Sequence, residues 1–146
     1  MLMRSRLLFI GIIWLTAITG SYAQASDTLR TASGIRYVLL QRGTGPTAQP
    51  GDRLQVAYSG FLPNGKVFDS SAMDGKPIRF RVGKGEVIKG WDEVLLLLPA
   101  GTRARLYIPA ALAYGAKGAR HPDNEDKYLI SPNTDLTFDV TVLKVK

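Results

Sequence analysis

The chain has no cysteine and a single histidine among its 146 residues. Without cysteine it has no disulfide, no thiolate ligand for a metal and no attachment site for a bacterial lipid anchor. His121 alone is too little for a metal cluster, and no GxSxG motif marks an activated serine. These absences argue against metal catalysis and nucleophilic hydrolysis, and we predict no metal site and no cofactor.

Phosphate-binding loops and runs of like charge are missing as well. The glycine-rich segment at 83–90, GKGEVIKG, has neither the GxxxxGK[ST] nor the GxGxxG spacing. The formal net charge is +7, but lysine and arginine occur mostly singly, at alternating positions. We interpret them as a solvated surface and expect no nucleic-acid partner.

Long apolar runs are also few, and one lies near the N-terminus. Leu7 to Gly20 follows Arg4 and Arg6 and precedes small residues around Ala23 and Ala25. The run is short for a membrane span, and this order is typical of a secretory signal peptide. We predict a signal peptide over residues 1–23, with Ala25 as the alternative last residue. An uncleaved anchor helix is the competing interpretation.

The rest of the chain has the length of one ordinary domain. We expect a flexible tether over residues 24–34 and a folded domain over 35–146. The predicted destination is the periplasm or the exterior of the cell, without a stable membrane anchor. Nothing in the sequence indicates a dimerisation helix before the domain, so we expect a monomer.

Alternating apolar residues predict several strands and only one convincing helix. Ile88, Trp91, Leu95 and Leu98 recur at helical spacing before Pro99. Asn64-Gly65 predicts a hairpin turn, because both residues tolerate positive φ. The segment from Gly115 to Pro132 has no periodicity and is predicted to be a long loop. Strands are expected around Ile35–Leu39, Leu54–Tyr58, Val67–Phe68, Ile78–Val82, Ala104–Ile108 and Leu136–Val142. The pattern indicates an α+β domain with an antiparallel sheet.

Aromatic residues without reactive neighbours are the remaining feature. Tyr58, Phe68, Trp91, Tyr114 and Phe138 lie in separate predicted elements, within the motifs VAYSG, NGKVFDSS, GKGEVIKGW, AYG and TDLTFDVTVLKV. In this order and spacing the motifs resemble the FK506-binding protein (FKBP) family of peptidyl-prolyl cis–trans isomerases, over about residues 51–145. The resemblance implies an antiparallel twisted β-sheet wrapped around one short α-helix, with an apolar pocket between them.

The resemblance also implies roles for individual residues. The catalytic set it implies is Tyr58, the Asp69 carboxylate, the Ile88 backbone N–H and the Tyr114 hydroxyl. The substrate-binding set consists of apolar residues: Trp91 as the floor, Phe68, Val87 and Phe138 as walls, Ile78 where relatives often have an aromatic residue, and Leu129 and Ile130 as an apolar loop contact. Taken singly, Trp91 and Phe138 are equally typical of a core, and Asp69 of a turn; one pocket requires all of them together.

The sequence departs from the family pattern at two places. Asp74 stands where relatives commonly have a basic residue able to pair with the pocket carboxylate. The segment after Gly115 is longer than in compact relatives and carries the insert ARHPDNEDKYL. These departures bear on the setting of Asp69 and on access to the pocket.

The function implied is rotation of X–Pro bonds in exported proteins by a non-covalent, desolvating pocket. The implied partners are unfolded or partly folded proline-containing polypeptides, and the macrolides FK506 and rapamycin are expected to bind as inhibitors. The alternative is a non-catalytic FKBP-like binding module or holdase chaperone that keeps the pocket but turns over poorly.

Overall fold

A computed structural model describes residues 27–146. The predicted signal peptide and both cleavage positions lie outside the described residues. The strands are β1 (Thr28–Arg30), β2 (Arg36–Gln41), β3 (Arg53–Phe61), β4 (Val67–Ser70), β5 (Ile78–Arg81), β6 (Arg103–Ile108), β7 (Ala119–His121), β8 (Asn124–Ile130) and β9 (Leu136–Val145). One α-helix, α1 (Lys89–Val94), continues into a 3₁₀ turn at Leu95–Leu97, and a second 3₁₀ turn covers Ala110–Leu112.

Seven strands form one antiparallel sheet in the order β1-β2-β6-β9-β3-β4, with β5 also paired to β3. β3 is the central strand of the site, because β9 runs along one side of it and β4 and β5 share the other. The apolar residues that alternate in β3, β6 and β9 all face the same way, toward the helix. The predicted fold class, an antiparallel sheet around one short helix, is confirmed.

The helix lies close to the sheet because Gly90 has no side chain. A Cβ at Gly90 would approach Cγ2 of Ile108 in β6 to 2.6 Å. The helix can therefore approach β6 closely at Gly90. Trp91 and Val94, on this helix, are both buried in the core. The helix, the sheet and the 3₁₀ turn enclose a continuous apolar core that includes Ile35, Leu54, Val56, Val82, Leu95, Leu106, Val140 and Val142.

Ordered structure begins earlier than we predicted. Thr28–Arg30 pairs with β2 as a short strand, so these residues are not part of a flexible tether. A turn then closes between Thr31 and Ile35. The Thr31 N–H donates to the Ile35 carbonyl, and the Ile35 N–H donates to the Thr31 hydroxyl oxygen. This turn places Ile35 in the core. A strand of three residues with one apolar side chain, Leu29, is too short to show the alternation that indicates a strand.

The Asn64-Gly65 hairpin forms, with a different turn from the one the dipeptide suggested. Gly65 has a φ of 83°, but Asn64 is not in the positive-φ region. Gly65 N–H donates to the Leu62 carbonyl at 2.8 Å, and the Asn64 side chain accepts from Lys66 N–H at 2.9 Å. Pro63 favours this arrangement because its fixed φ suits the position after Leu62.

The segment predicted as a long loop contains a two-stranded hairpin, β7–β8, and that prediction was wrong. Its register shifts twice in three residues, which hides the period-two pattern in the sequence. Most of β8 is exposed on both faces. Arg120 lies over the ring of Tyr128, 3.9 Å from its centre, and this cation–π contact stabilises the pair of strands.

Within residues 27–146, the structure contains no helix long and apolar enough to cross a membrane.

Candidate functional site

A cavity of about 180 Å³ lies between the start of α1 and the inner face of the sheet. Most of its lining residues are aromatic or aliphatic, and we call it the aromatic pocket. Its lining residues are Tyr58, Phe68, Asp69, Ile78, Glu86, Val87, Ile88, Trp91, Tyr114 and Phe138. The structure therefore brings together nine of the eleven predicted site residues, from β3, β4, β5, β9, the helix and two loops.

Trp91 is placed where the floor of the pocket was predicted. Its side chain is only 3% exposed. The ring of Tyr58 meets it edge-on at 5.0 Å and Phe138 at 5.3 Å, while Phe80 lies at 6.0 Å. Such edge-to-face contacts stabilise beyond simple burial, so the indole is held rigidly. Its Nε1–H is buried without a hydrogen-bond partner within the described residues.

The wall formed by Phe68 and Phe138 depends on a glycine in β3. The two rings pack edge-on with centres 5.7 Å apart. A Cβ at Gly60 would lie 2.6 Å from Phe68 and 2.9 Å from Phe138. Gly60 therefore leaves the space that both rings occupy, which explains the glycine of the VAYSG motif.

The polar side of the pocket centres on Asp69. Tyr58 Oη donates to Asp69 Oδ2 at 2.6 Å, a short charge-assisted hydrogen bond. Burial, and next this hydrogen bond, raise the pKa of Tyr58 well above the ordinary value of a phenol. Asp69 forms no ion pair within residues 27–146. Its carboxylate is instead hydrogen-bonded by the neutral Tyr58 hydroxyl.

Tyr114 stands at the mouth of the pocket and is 39% exposed. Desolvation and then the charge of Asp69 raise the pKa of Tyr114, so its hydroxyl keeps its proton and can donate. The segment that carries it is fixed by Ala110, whose N–H donates to Asp135 and whose carbonyl accepts from Gly115 N–H.

Ile88 forms the N-cap of α1, and its carbonyl accepts from Trp91 N–H and Asp92 N–H. The loop leading to it is held by Asp92, whose two carboxylate oxygens accept from Gly83 and Gly85 N–H at 2.8 and 2.7 Å. The helix needs only the carbonyl of its N-cap. The Ile88 N–H therefore remains available at the pocket edge beside Val87.

Two predicted substrate contacts do not line the pocket. Ile130 ends β8 with its side chain 1% exposed, inside the core, so its predicted contact with substrate was wrong. Leu129 is half-buried and packs against the same core. Both residues anchor the β7–β8 hairpin, because strand pairing in this segment turns its apolar end inward.

Sequence reasoning missed four supporting residues. Phe80 shares the face of Ile78 in β5 and packs on Trp91, which the alternation in this strand indicated. Ser71 continues the pairing past β4, donating its N–H to the Tyr58 carbonyl and accepting from Tyr58 N–H. Asp92 holds the loop before the helix, and no pattern in the sequence indicated this role or indicated Glu86 as a lining residue.

A sheet curved around a short helix, with an aromatic pocket between them, defines the FKBP type of peptidyl-prolyl isomerase. The sequence model of the family described as FKBP-type peptidyl-prolyl cis-trans isomerase matches residues 45–143. The chain belongs to this family, and the predicted resemblance and enzyme class are confirmed.

Individual relatives agree with the family match. The chain is 44% identical to peptidyl-prolyl cis-trans isomerase Fkbp12 of Drosophila melanogaster over 114 residues, 77% of this chain and 99% of that protein. It is 41% identical to a probable FKBP-type isomerase of Haemophilus influenzae, across 85% of this chain and 48% of that protein. It spans only 24% of FK506-binding protein 4 of Neurospora crassa. The chain thus matches all of a small relative and part of larger ones.

Solved structures show the same fold. The crystal structure of AtFKBP13 superposes with a TM-score of 0.75 at 40% identity, covering 82% of this chain and 99% of that one. A peptidyl-prolyl isomerase of Pseudomonas syringae pv. tomato gives a TM-score of 0.71 at 39% identity, covering 85% and 84%.

Proposed function

We propose that this chain rotates X–Pro bonds in polypeptides without covalent chemistry, and that its clients are exported proteins. The aromatic pocket carries the proposal, because it joins aromatic and aliphatic walls to two hydroxyls, of Tyr58 and Tyr114, and to the Asp69 carboxylate, with Glu86 also in the lining. A cavity of about 180 Å³ is small beside the roughly 300–1,000 Å³ of pockets for drug-sized ligands. That size favours a single prolyl ring.

The chemistry requires weakening of amide resonance rather than bond cleavage. Rotation about the imide bond crosses a barrier of roughly 18–20 kcal/mol. In the twisted state the nitrogen loses conjugation and the group becomes less polarised. A pocket that excludes water destabilises the planar, polarised ground state relative to the twisted one. Trp91 and the walls around it supply that dry surface.

The polar groups have distinct proposed roles. Ile88 N–H and Tyr114 Oη donate to carbonyl oxygens of the substrate and hold it in a turn. Asp69 lies beside the rotating bond and fixes the Tyr58 hydroxyl through their 2.6 Å hydrogen bond. Preorganised donors of this kind stabilise a transition state without reorganising when it forms.

Export is supported by the signal-peptide pattern of residues 1–23 and by the absence of cysteine, which suits an oxidising compartment. We propose a periplasmic or secreted monomer. FK506 and rapamycin are the proposed inhibitors, because the predicted wall and donor residues line one pocket. The holdase alternative rests on the exposed β7–β8 hairpin beside Tyr114.

The test is the exchange rate between cis and trans forms of Ala-Leu-Pro-Phe peptides, measured by NMR with purified residues 27–146. We expect clear acceleration and competition by FK506. The Asp69→Asn/Tyr114→Phe double variant is the matched control. Exchange no faster than in buffer, with a folded sample, would overturn the isomerase proposal and leave the binding module.

A further inference from the structure

Cations that are scattered in the sequence meet on the outer face of the sheet. In the paired strands β5 and β3, Arg81 lies opposite Arg53, and Arg79 lies opposite Gln55. Gln55 in turn lies opposite Lys144 of β9. Directly opposed residues project from the same face, so four cations share one surface. We call Arg53, Arg79, Arg81 and Lys144 the basic face; Lys146 lies beside Arg53.

The basic face has no internal charge partner. Within residues 27–146 none of its four side chains forms an ion pair. The neighbouring carboxylates accept hydrogen bonds from backbone N–H groups instead. Asp52 accepts from the Gln49 N–H and Glu86 from the Arg81 N–H, each at 2.8 Å. Like charges opposed across a sheet destabilise it. Folding alone gives no reason for this arrangement, whereas an anionic ligand would complement it.

A continuous surface path joins the basic face to the aromatic pocket. A cleft of about 410 Å³ is lined by Tyr58, Asp74, Lys76, Pro77, Ile78 and Arg79. Tyr58 and Ile78 also line the aromatic pocket. At the other end, Arg79 also lines a cavity of about 200 Å³ among Arg53, Gln55 and Lys144. β5 pairs only with β3, so an extended chain can cross its free edge.

The path fits an extended polypeptide better than other anions. It starts at the pocket for the prolyl ring, from which the substrate chain must emerge. Residues lining the basic cavity include no aromatic side chain on which bases could stack, which disfavours single-stranded nucleic acid. Asp74 would repel an acid next to the proline, so acids fit only farther along.

We propose that the basic face binds acidic side chains of the client polypeptide a few residues from its proline, where the extended chain leaves the cleft. The cleft carries the chain between the two sites. This proposal rests on the proposed isomerase function and adds a substrate class to it. The enzyme would thereby prefer prolines flanked by acidic segments.

The first experiment compares two pairs of proline peptides. The variable residues lie two to four positions before the proline in one pair and two to four positions after it in the other. Within each pair the peptides differ only in having three Glu or three Gln there. We expect kcat/KM for the better Glu peptide to exceed that for its Gln partner about tenfold, the effect of a few exposed ion pairs. The difference should lie in KM and vanish near about 0.5 M NaCl, where charges are screened. Equal kcat/KM at low salt would overturn the proposal.

The second experiment compares two variants with the same change in charge. Arg53→Gln/Arg81→Gln/Lys144→Gln should lose the preference and keep the wild-type rate on the Gln peptide. Arg30→Gln/Arg42→Gln/Lys66→Gln, three exposed cations elsewhere, should keep the preference. Loss of the preference in both variants would mean that net charge, not this face, attracts the acids.

A binding measurement separates this proposal from the isomerase function. Fluorescence anisotropy gives the Kd of a labelled Glu peptide without proline for the wild type and both variants. Binding that only the basic-face variant loses supports the proposal even if no peptide is isomerised. The same measurement is made with a labelled oligonucleotide and with anionic lipid vesicles. If the basic-face variant loses binding to one of these but binds the Glu peptide as the wild type does, the face belongs to that other partner and the proposal is overturned.

Discussion

Asp69 faces two phenols, Tyr58 and Tyr114, and no cation of the described residues pairs with it. At the scale of the residue, one hydrogen bond from Tyr58 takes the place that an ion pair would fill. A carboxylate without a cationic partner keeps its negative field at the pocket edge, while a salt bridge would cancel much of it. Asp74, which the sequence marked as a departure, adds a second negative charge that acts on Tyr58.

Removing these polar groups should lower activity while sparing the fold. For Tyr114→Phe and Asp69→Asn we expect kcat/KM on a tetrapeptide to fall severalfold each, since a lost hydrogen bond is worth about 0.5–1.5 kcal/mol. Thermal unfolding should shift little, because both side chains are at the surface of the pocket. Asp126→Asn, exposed in the hairpin, is the control. Full activity in both site variants would contradict the roles given to these residues.

The raised pKa of Tyr58 also predicts how stability depends on pH. Below the ordinary phenol pKa of 10.0, Tyr58 is protonated in both the folded and the unfolded chain, and it adds no pH dependence. Above it the unfolded chain releases the proton while the folded chain holds it, so stability falls as the pH rises. We expect the urea midpoint to drop as the pH rises above about 10, and to drop less in Tyr58→Phe. Equal drops in the two proteins would contradict this.

At the scale of the element, the β7–β8 hairpin is the main addition to the compact fold. Its base is tied to the pocket segment, since Gly118 N–H donates to the Tyr114 carbonyl and Asn133 N–H to the Gly115 carbonyl. Its tip carries mixed charges and is exposed. A rigid projection so placed can touch long clients without reaching the proline itself.

Shortening the hairpin should separate peptide activity from protein activity. Replacing residues 120–128 by a tight Gly-rich turn keeps Leu129 and the buried Ile130. We expect unchanged isomerisation of tetrapeptides and slower catalysis of a proline-limited refolding reaction. Arg120→Ala, which removes only the contact with Tyr128, is the milder control.

The ratio of refolding activity to peptide activity decides this prediction. An unchanged ratio would mean that the hairpin is an inert insertion. A loss of peptide activity as well would mean that the hairpin helps to build the pocket.

The elements that could be predicted are those with a regular buried face. β6 and β9 alternate cleanly, and Trp91 and Leu95 mark the helix, so sequence patterns found them. β7 and β8 were missed because their register shifts and their exposed faces carry no apolar period. The basic face was missed for another reason: Arg53, Arg79 and Lys144 meet only through strand pairing between distant segments.

For the site, motif resemblance located nine lining residues, because each lies in a conspicuous aromatic or glycine-rich motif. It misplaced Ile130, since an apolar residue at the end of an insert looks the same in a core and in a binding surface. The role of Asp92 depends on the path of a loop that local sequence does not determine.

At the scale of the whole molecule, the pocket is the open end of the hydrophobic core. Trp91 and Phe138 belong to the same buried cluster as Leu106 and Val140, and only the outer walls reach solvent. A domain without disulfides thus obtains stability and a binding surface from the same side chains. Stability and activity are therefore coupled at the floor of the pocket and independent at its rim.

This coupling predicts two kinds of variant. Trp91→Ala and Phe138→Ala should each lose about 3–5 kcal/mol of unfolding free energy, as expected for large buried rings, together with activity. Phe68→Ala, a half-buried wall, should lose affinity for FK506 with a smaller loss of stability. Urea unfolding and inhibitor titration measure the two effects. A wild-type unfolding free energy in Trp91→Ala would contradict the shared core.

Trp91 has one further consequence, for spectroscopy. The sequence contains two tryptophans, Trp14 and Trp91, and only Trp91 lies within the domain. Its indole is buried under the pocket, against three aromatic rings, with an Nε1–H that has no partner in the described residues. The domain therefore carries its own fluorophore at the binding site. Its emission should report occupancy of the pocket directly, without any label, and the same signal should report unfolding of the core beneath it.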